Sequence, residues 1–188
     1  MRTKAAAAWI AGLVIGLPVL AVASWMAVET SLQQTSGAAF CGACHTMDPF
    51  VASYRQDAHG GNTSHGIRAK CTDCHLSHED LVSYLWTKAR FGAHDVWAQL
   101  TYDLETIDWK AKRSHRESFV FDSGCLKCHS DLERASMANT KAFVAHKPYF
   151  LGEIQKKCVS CHENVGHRDI VAFIDRAKDR ARDPGDAR

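Results

Sequence analysis

The hydrophobic pattern separates one long apolar segment from a remainder of short amphipathic stretches. No charged residue occurs between Ala5 and Val28, a run of 24 positions. As a helix this run would be about 36 Å long, enough to cross the hydrocarbon core of a bilayer. The pattern therefore predicts a transmembrane anchor over residues 5–28, followed by a domain of roughly 155 residues, near the commonest domain size.

Basic residues before the anchor set its predicted orientation. Arg2 and Lys4 lie in the four residues that precede the apolar run, and Glu29 ends the run. The excess of positive charge on a short segment predicts that residues 1–4 stay in the cytoplasm and that the rest lies outside. A cleaved signal peptide is the alternative, because the sequence from Ala21 to Ala23 resembles a small-residue cleavage site. The length of the apolar run favours a retained anchor.

Beyond the anchor, apolar residues at three- and four-residue spacing predict helices. The longest candidate covers 78–108, a second covers 132–150 with a break near Pro148, and a third carries an apolar stripe over 170–177 that ends at 183–185. The stretch 53–70, rich in Gly, Ser and Asn, is predicted as a loop. No segment shows sustained alternation, so the predicted fold class is mainly α with extensive loops.

Four copies of the pattern CxxCH use every cysteine in the chain. They run over 41–45, 71–75, 125–129 and 158–162. Two thiols one turn apart can bond to the two vinyl groups of a haem, and the adjacent histidine can ligate the iron. The attaching thiols are predicted to be Cys41, Cys44, Cys71, Cys74, Cys125, Cys128, Cys158 and Cys161.

Zinc binding and disulfide formation are the alternatives for paired cysteines. Neither needs a histidine directly after the second cysteine, whereas all four copies have one. The sequence therefore predicts four covalent c-type haems, with residues 41–168 folded around them as a multihaem cytochrome c domain. A linker over 29–40 would join this domain to the anchor, and 169–188 would form an amphipathic C-terminal helix and tail.

The charge of the chain argues against nucleic acid as a partner. Its formal net charge of +2 is nearly neutral, and the haem propionates would make the finished protein acidic. Haem attachment of this kind takes place on the outer face of the bacterial cytoplasmic membrane, which agrees with the predicted anchor.

Axial ligands must come from the remaining histidines and from one methionine. The motifs supply four histidines, and Met47 follows the first motif by two residues. Outside the motifs, His65 and His115 lie in polar, basic surroundings and are predicted to be solvated, so the others are candidate distal ligands. A methionine ligand would raise the potential of the first haem, whereas simple packing beside the haem is its alternative role.

The chain combines an N-terminal anchor, four CxxCH motifs and a Gly166-His167 pair after the last motif. In these features it resembles the membrane-anchored tetrahaem quinol dehydrogenases of the NapC/NirT family. This family includes the small subunit of cytochrome c nitrite reductase. The resemblance covers Ala5 to about His167. It implies a single-pass protein of the bacterial inner membrane with its haem domain in the periplasm. It also implies oxidation of menaquinol or ubiquinol and delivery of electrons to a periplasmic reductase or another cytochrome.

The resemblance also implies roles for single residues. Met47, rather than His45, would ligate the first haem; His59 would serve the fourth and His167 the third. His78 and His146 match further distal ligands of some members. Together with the motif histidines, the candidate axial ligands are His45, His75, His129, His162, Met47, His59, His167, His78 and His146, with Met47 in place of His45 if the resemblance holds at the first haem.

Lys88 and Asp95 resemble the family's quinol-site pair. Seven residues apart on a helix, they share one face and could flank a ring, and the carboxylate could accept a proton from quinol. His94 is a second candidate for proton transfer. The sequence leaves open a terminal reductase of a small nitrogen compound, electron flow from cytochrome to quinone, and a haem wire without quinone affinity. It also leaves open a homo-oligomer or a hetero-complex.

Overall fold

The computed structural model describes residues 2–64 and 66–182, and this part of the chain is helical with no strand. Its α-helices are α1 (Arg2–Gln34), α2 (Ala38–Cys41), α3 (Asp48–Gln56), α4 (Cys71–His75), α5 (Leu81–Thr101), α6 (Trp109–Lys112), α7 (Asp122–Cys128), α8 (Leu132–Met137), α9 (Thr140–Phe150), α10 (Cys158–Cys161) and α11 (Ile170–Arg182). Short 3₁₀ helices span His45–Met47, Ala58–Gly60, Leu104–Thr106 and Arg113–Ser118. The predicted fold class is therefore confirmed.

Helix α1 contains the predicted anchor and continues beyond it. Its window Trp9–Gln34 has a mean hydropathy of 2.1 and no buried residue, so by length and composition it can cross a membrane. Because the helix runs on to Gln34, the first part of the predicted linker is helical. The domain that contains the CxxCH motifs thus follows a continuous helix after only a short irregular connection.

Three predicted boundaries differ from the structure. Helix α5 begins at Leu81 rather than at residue 78, since the Asp80 carboxylate accepts a hydrogen bond from the Ser83 backbone N–H, and it ends at Thr101 rather than at residue 108. The predicted loop 53–70 is wrong at its start, where α3 continues to Gln56.

The predicted break near Pro148 is also wrong. Pro148 lies inside α9, and the chain instead leaves its helical path between α8 and α9. Asn139 caps α9 there by accepting hydrogen bonds from the N–H groups of Lys141 and Ala142. An asparagine side chain at this position stabilises a new helix start, which periodicity alone does not reveal.

Buried apolar side chains are few in the described part of the chain. The buried set comprises Tyr54, Leu76, Val159, Ile170 and Ile174. The two isoleucines belong to α11, which packs against α3 and α6 and is held to α6 by an ion pair between Lys110 and Asp175. The C-terminal amphipathic helix, predicted as a segment separate from the domain over 41–168, therefore packs against that domain. Its predicted stop at 183–185 lies outside the described residues.

Ile174 is 1% exposed, and its truncation tests this packing. We expect Ile174→Ala to lower the free energy of unfolding by about 3 kcal/mol, because it removes buried methyl groups and leaves a cavity. Chemical denaturation of the haem-loaded protein, followed by circular dichroism, measures the change. Val144→Ala is the control, since Val144 is 64% exposed and should change stability by less than about 0.5 kcal/mol. Equal effects of the two substitutions would contradict the packing.

Candidate functional site

The first two CxxCH motifs lie next to each other and next to the end of α1. The thiols of Cys41 and Cys71 are hydrogen-bonded, an interaction that lowers the pKa of Cys41 to about 7 and raises that of Cys71. The Thr72 backbone N–H donates to the Ser36 carbonyl, just beyond α1. Both motifs are thereby held close to the predicted membrane surface.

The second and third motifs contact each other through α4 and α7. The Phe121 backbone N–H donates to the Cys74 carbonyl at 3.0 Å. At Gly124 the two backbones approach so closely that a Cβ would lie 1.8 Å from the Asp73 carbonyl oxygen. Only glycine fits at this crossing.

The third and fourth motifs are joined in a similar way. The Cys125 and Cys158 thiols are hydrogen-bonded, which lowers the pKa of Cys125 to about 7. The Asp122 carboxylate accepts a hydrogen bond from the Cys158 backbone N–H at 3.0 Å. The four motifs therefore contact one another in chain order, from the end of α1 outward.

No disulfide joins any two of the eight cysteines, all of which lie in the described part of the chain. One group of potential metal ligands combines Asp122, Cys125 and Cys158, whose ligand atoms lie within 4.8 Å of one another. It takes one cysteine from each of two motifs and leaves out both motif histidines. A four-ligand structural zinc site built from CxxC units would use both cysteines of a motif.

Three motif histidines face histidines from elsewhere in the chain. The ring centroids are 6.1 Å apart for His75 and His167, 6.3 Å for His129 and His59, and 5.9 Å for His162 and His146. Metal bonds of about 2 Å to two imidazole nitrogens on opposite sides of one ion place the ring centroids roughly 6 Å apart. Each pair therefore has the spacing of two axial ligands.

Hydrogen bonds at Nδ1 fix the tautomers of the ligand candidates. The Nδ1 of His75 donates to the Phe119 carbonyl, and the Nδ1 of His146 donates to the Ala142 carbonyl. The Nδ1 of His167 donates to the Phe50 carbonyl. In His59, Nδ1 donates to the Asp57 carboxylate at 3.0 Å. Because these oxygens only accept, Nδ1 carries the proton and Nε2 keeps a lone pair for a metal.

Burial keeps two of these rings neutral. It lowers the pKa of His75 and lowers that of His167 to about 4, so neither ring is protonated at neutral pH. A neutral imidazole is the form that binds metal. Gly166, at a φ of 77°, makes the left-handed turn that brings His167 back onto α3.

The pairing differs from the sequence expectation in two places. His59 faces the third motif rather than the fourth, and His167 faces the second rather than the third. His146 occupies the position beside the fourth motif. His167 faces the second motif because α11 packs on α3, and this packing brings the turn before α11, which contains His167, close to the second motif.

The first motif is arranged differently from the other three. His45 is exposed, and its Nε2 donates to the Glu105 carboxylate at 3.1 Å. Met47 is half-buried at the start of α3. The motif histidine thus has its Nε2 hydrogen-bonded, whereas Met47 follows it by two residues in the same 3₁₀ helix.

His78 makes a contact that does not favour ligation, and His115 lies at the surface. Nε2 of His78 donates to the Thr72 carbonyl at 2.9 Å, so this nitrogen has no lone pair for iron. His115 is exposed in the 3₁₀ helix Arg113–Ser118, in agreement with a solvated role. His65, also predicted to be solvated, lies outside the described residues.

Lys88 ties helix α5 to the end of α1. Its Nζ donates to the carbonyls of Leu32 and Thr35 at 3.3 and 3.2 Å, and to the Ser36 hydroxyl at 3.1 Å. An ammonium group has three N–H donors, and all three are used here. The positive charge also lies at the negative end of the α1 dipole, which stabilises the contact.

Asp95 lies two turns further along α5 and is exposed. Its Oδ1 is 3.3 Å from Nδ1 of His94. Four residues later, Gln99 donates to the hydroxyl of Thr46, the residue directly after the first motif, at 3.1 Å. Lys88, Asp95 and Gln99 share one face of the helix, so Asp95 lies between the contact with α1 and the contact with the first motif.

The residues present therefore fit covalent haems. Free thiols at CxxC spacing, three histidine pairs with metal-ligand spacing, and a small side-chain core are what a domain folded around haems requires.

Sequence reasoning did not identify the residues that orient these ligands. Ser53, fully buried, contacts Nδ1 of His167 at 3.1 Å, and Glu105 and Gln99 hold the first motif. All three are distant in sequence from the groups they contact. The Nδ1 partner of His59, in contrast, is two residues away and follows the Asx-turn pattern of an aspartate before a turn.

Comparisons with known proteins agree with this site. The sequence model of the NapC/NirT cytochrome c family, N-terminal region, matches residues 2–172. The tetraheme c-type cytochrome CymA of Shewanella oneidensis is 30% identical over 168 residues, which cover 82% of this chain and 88% of the relative. TorC of Escherichia coli, a c-type cytochrome protein, is 24% identical, and the match spans 40% of its length.

A solved structure has the same fold. A chain in the crystal structure of the cytochrome c nitrite reductase NrfHA complex bound to the HQNO inhibitor matches with a TM-score of 0.54 and 28% identity. The match covers 83% of this chain and 90% of that chain.

Proposed function

Since the chain belongs to the NapC/NirT cytochrome c family, we propose that it is anchored in the cytoplasmic membrane, oxidises membrane quinol and delivers electrons to a periplasmic reductase or another cytochrome. As a tetrahaem c-type cytochrome it functions in electron transport. The observation that carries the quinol proposal is the position of Asp95, beside the first motif and close to the end of the membrane helix.

The proposed haem ligands follow from the histidine pairs. His75 with His167, His129 with His59, and His162 with His146 would each hold one iron. Met47 would ligate the first iron, because His45 donates its Nε2 proton to Glu105. When bound, the haems supply one-electron redox centres at positions set by the eight thioether bonds.

In this proposal, protons released from quinol go to α5. Oxidation of a quinol releases two protons together with two electrons, so a base must lie beside the ring hydroxyl. Asp95 Oδ1 accepts the proton, and His94, 3.3 Å away, passes it to solvent because both side chains are exposed. The sequence predicts that Lys88 contacts the quinol. Because all three N–H groups of its ammonium donate to residues at the end of α1, Lys88 in this proposal holds α5 against α1 instead.

The terminal-reductase alternative needs an open iron position. Three motif histidines already have a second histidine at axial spacing, which leaves only the first motif for such chemistry. There the neighbouring charged groups are Lys88, Asp95 and Glu105, so the first motif lacks the excess of positive charge that would favour an anion such as nitrite. Electron flow in the opposite direction uses the same residues, because relative potentials set its direction.

Mixing the haem-loaded protein in detergent with a reduced menaquinol analogue tests the proposal. We expect the haem absorption spectrum to change from that of the oxidised form to that of the reduced form after mixing. We also expect HQNO, the inhibitor bound in the solved NrfHA complex, to slow this change. Haems that dithionite reduces but quinol does not would contradict the proposal. Nitrite turnover by the protein alone with an artificial donor would favour a terminal reductase instead.

A further inference from the structure

One face of helix α5 is apolar and exposed along its whole length. Val82, Trp86, Val96, Trp97 and Leu100 are each between 61% and 77% exposed. Trp86, Val96, Trp97 and Leu100 follow Val82 by 4, 14, 15 and 18 residues, which places all five on one side of the helix, with Ala89 and Ala93 between them. No charged side chain lies within this stripe, which we call the outer face.

The opposite side of α5 makes the contacts with the rest of the protein. Lys88 donates to the end of α1, Phe91 packs against Phe121 at a centroid distance of 6.1 Å, and Gln99 donates to Thr46. The outer face therefore points away from the haem domain. Two exposed tryptophans and a leucine on such a face need a covering that the described chain does not supply.

The contact with α1 places α5 at the level of the lipid headgroups. Lys88 binds the carbonyl of Leu32, four residues after Val28, where the uncharged run ends. Four residues of helix advance about 6 Å. The polar headgroup zone on each side of the hydrocarbon is itself roughly 6 Å deep.

We propose that the outer face of α5 lies in the surface of the bilayer, so that the domain is held to the membrane by α5 as well as by α1. Tryptophan is enriched at membrane interfaces, and an apolar face of this kind inserts at the boundary between headgroups and acyl chains. Arg90 flanks the outer face, where its guanidinium can contact lipid phosphates. The arrangement would hold Asp95 at the depth where a lipid-soluble substrate arrives.

The bilayer is a better occupant than a second copy of the chain. A partner of any kind bound here would have to share the headgroup zone, because Lys88 fixes α5 to the end of the membrane helix. Lipid already surrounds α1 at this height and reaches the outer face without a further association step. The proposal does not depend on quinol oxidation, and a protein without quinol activity could still show it.

Photo-crosslinking of the full-length, haem-loaded protein in nanodiscs of phosphatidylethanolamine and phosphatidylglycerol tests the proposal. The variants are Trp86→p-benzoyl-phenylalanine and Trp97→p-benzoyl-phenylalanine. Val144→p-benzoyl-phenylalanine is the control, because Val144 is equally exposed, at 64%, but lies on α9. Absorption spectra confirm that each variant carries its haems. Illumination followed by mass spectrometry identifies the adducts.

We expect lipid adducts at both tryptophan positions, with a yield at least about tenfold above that at the control position. Adducts with a second copy of the chain would show an oligomer interface and would overturn the proposal. Absence of adducts at positions 86 and 97, or equal lipid adducts at 144, would also overturn it.

Discussion

Replacing Asp95 by asparagine should slow quinol oxidation by about 100-fold while all four haems remain attached. Asparagine has nearly the shape of aspartate but cannot accept the proton that leaves the quinol hydroxyl. Stopped-flow absorption of haem reduction by a menaquinol analogue measures the rate. The haem-staining pattern and the visible spectrum check that attachment is unchanged.

Glu79→Gln is the matched control for this substitution. Glu79 is an exposed carboxylate just before α5, so its neutralisation removes the same charge without touching the proposed site. We expect its rate to stay close to that of the unaltered protein. A small, equal decrease in both variants would indicate a general electrostatic effect, and the assignment of Asp95 as proton acceptor would then be wrong.

Histidine 167 is the site of the second large effect. In His167→Ala the partner of His75 is lost, and we expect the second haem to change from six-coordinate low-spin to high-spin iron. Electron paramagnetic resonance and the visible spectrum report this change independently of any turnover. The other histidine pairs involve different residues, so the remaining haems should keep their signals.

Two histidine variants serve as controls. His115→Ala removes an exposed ring, and His78→Ala removes a ring whose Nε2 donates to the Thr72 carbonyl. Neither should change the spin state of any haem. A high-spin signal in His78→Ala together with an unchanged spectrum in His167→Ala would reverse the ligand assignment for the second haem.

Local patterns were sufficient for the membrane-length helix α1, the CxxCH motifs and the amphipathic helix α11. Each depends on residues close together in the chain: an uncharged run, two cysteines and a histidine within one turn, or an apolar stripe on one helix. Boundaries were less predictable, because capping by Asp80 and Asn139 decides where α5 and α9 begin. Periodicity reports which face is apolar, not which residue satisfies the first N–H groups.

By itself, the sequence determined that this protein carries four CxxCH motifs behind one membrane-length apolar segment, and therefore that it is a tetrahaem cytochrome of mainly helical structure. Only the tertiary structure decided which histidine faces which motif and what Lys88 contacts. His59 lies opposite His129, His167 opposite His75, and Lys88 at the end of α1. Lys88, for example, is 53 residues from Thr35 and 56 residues from Leu32 in the sequence. They follow from the packing of α11 on α3 and of α5 beside α1, and no spacing along the chain encodes such contacts.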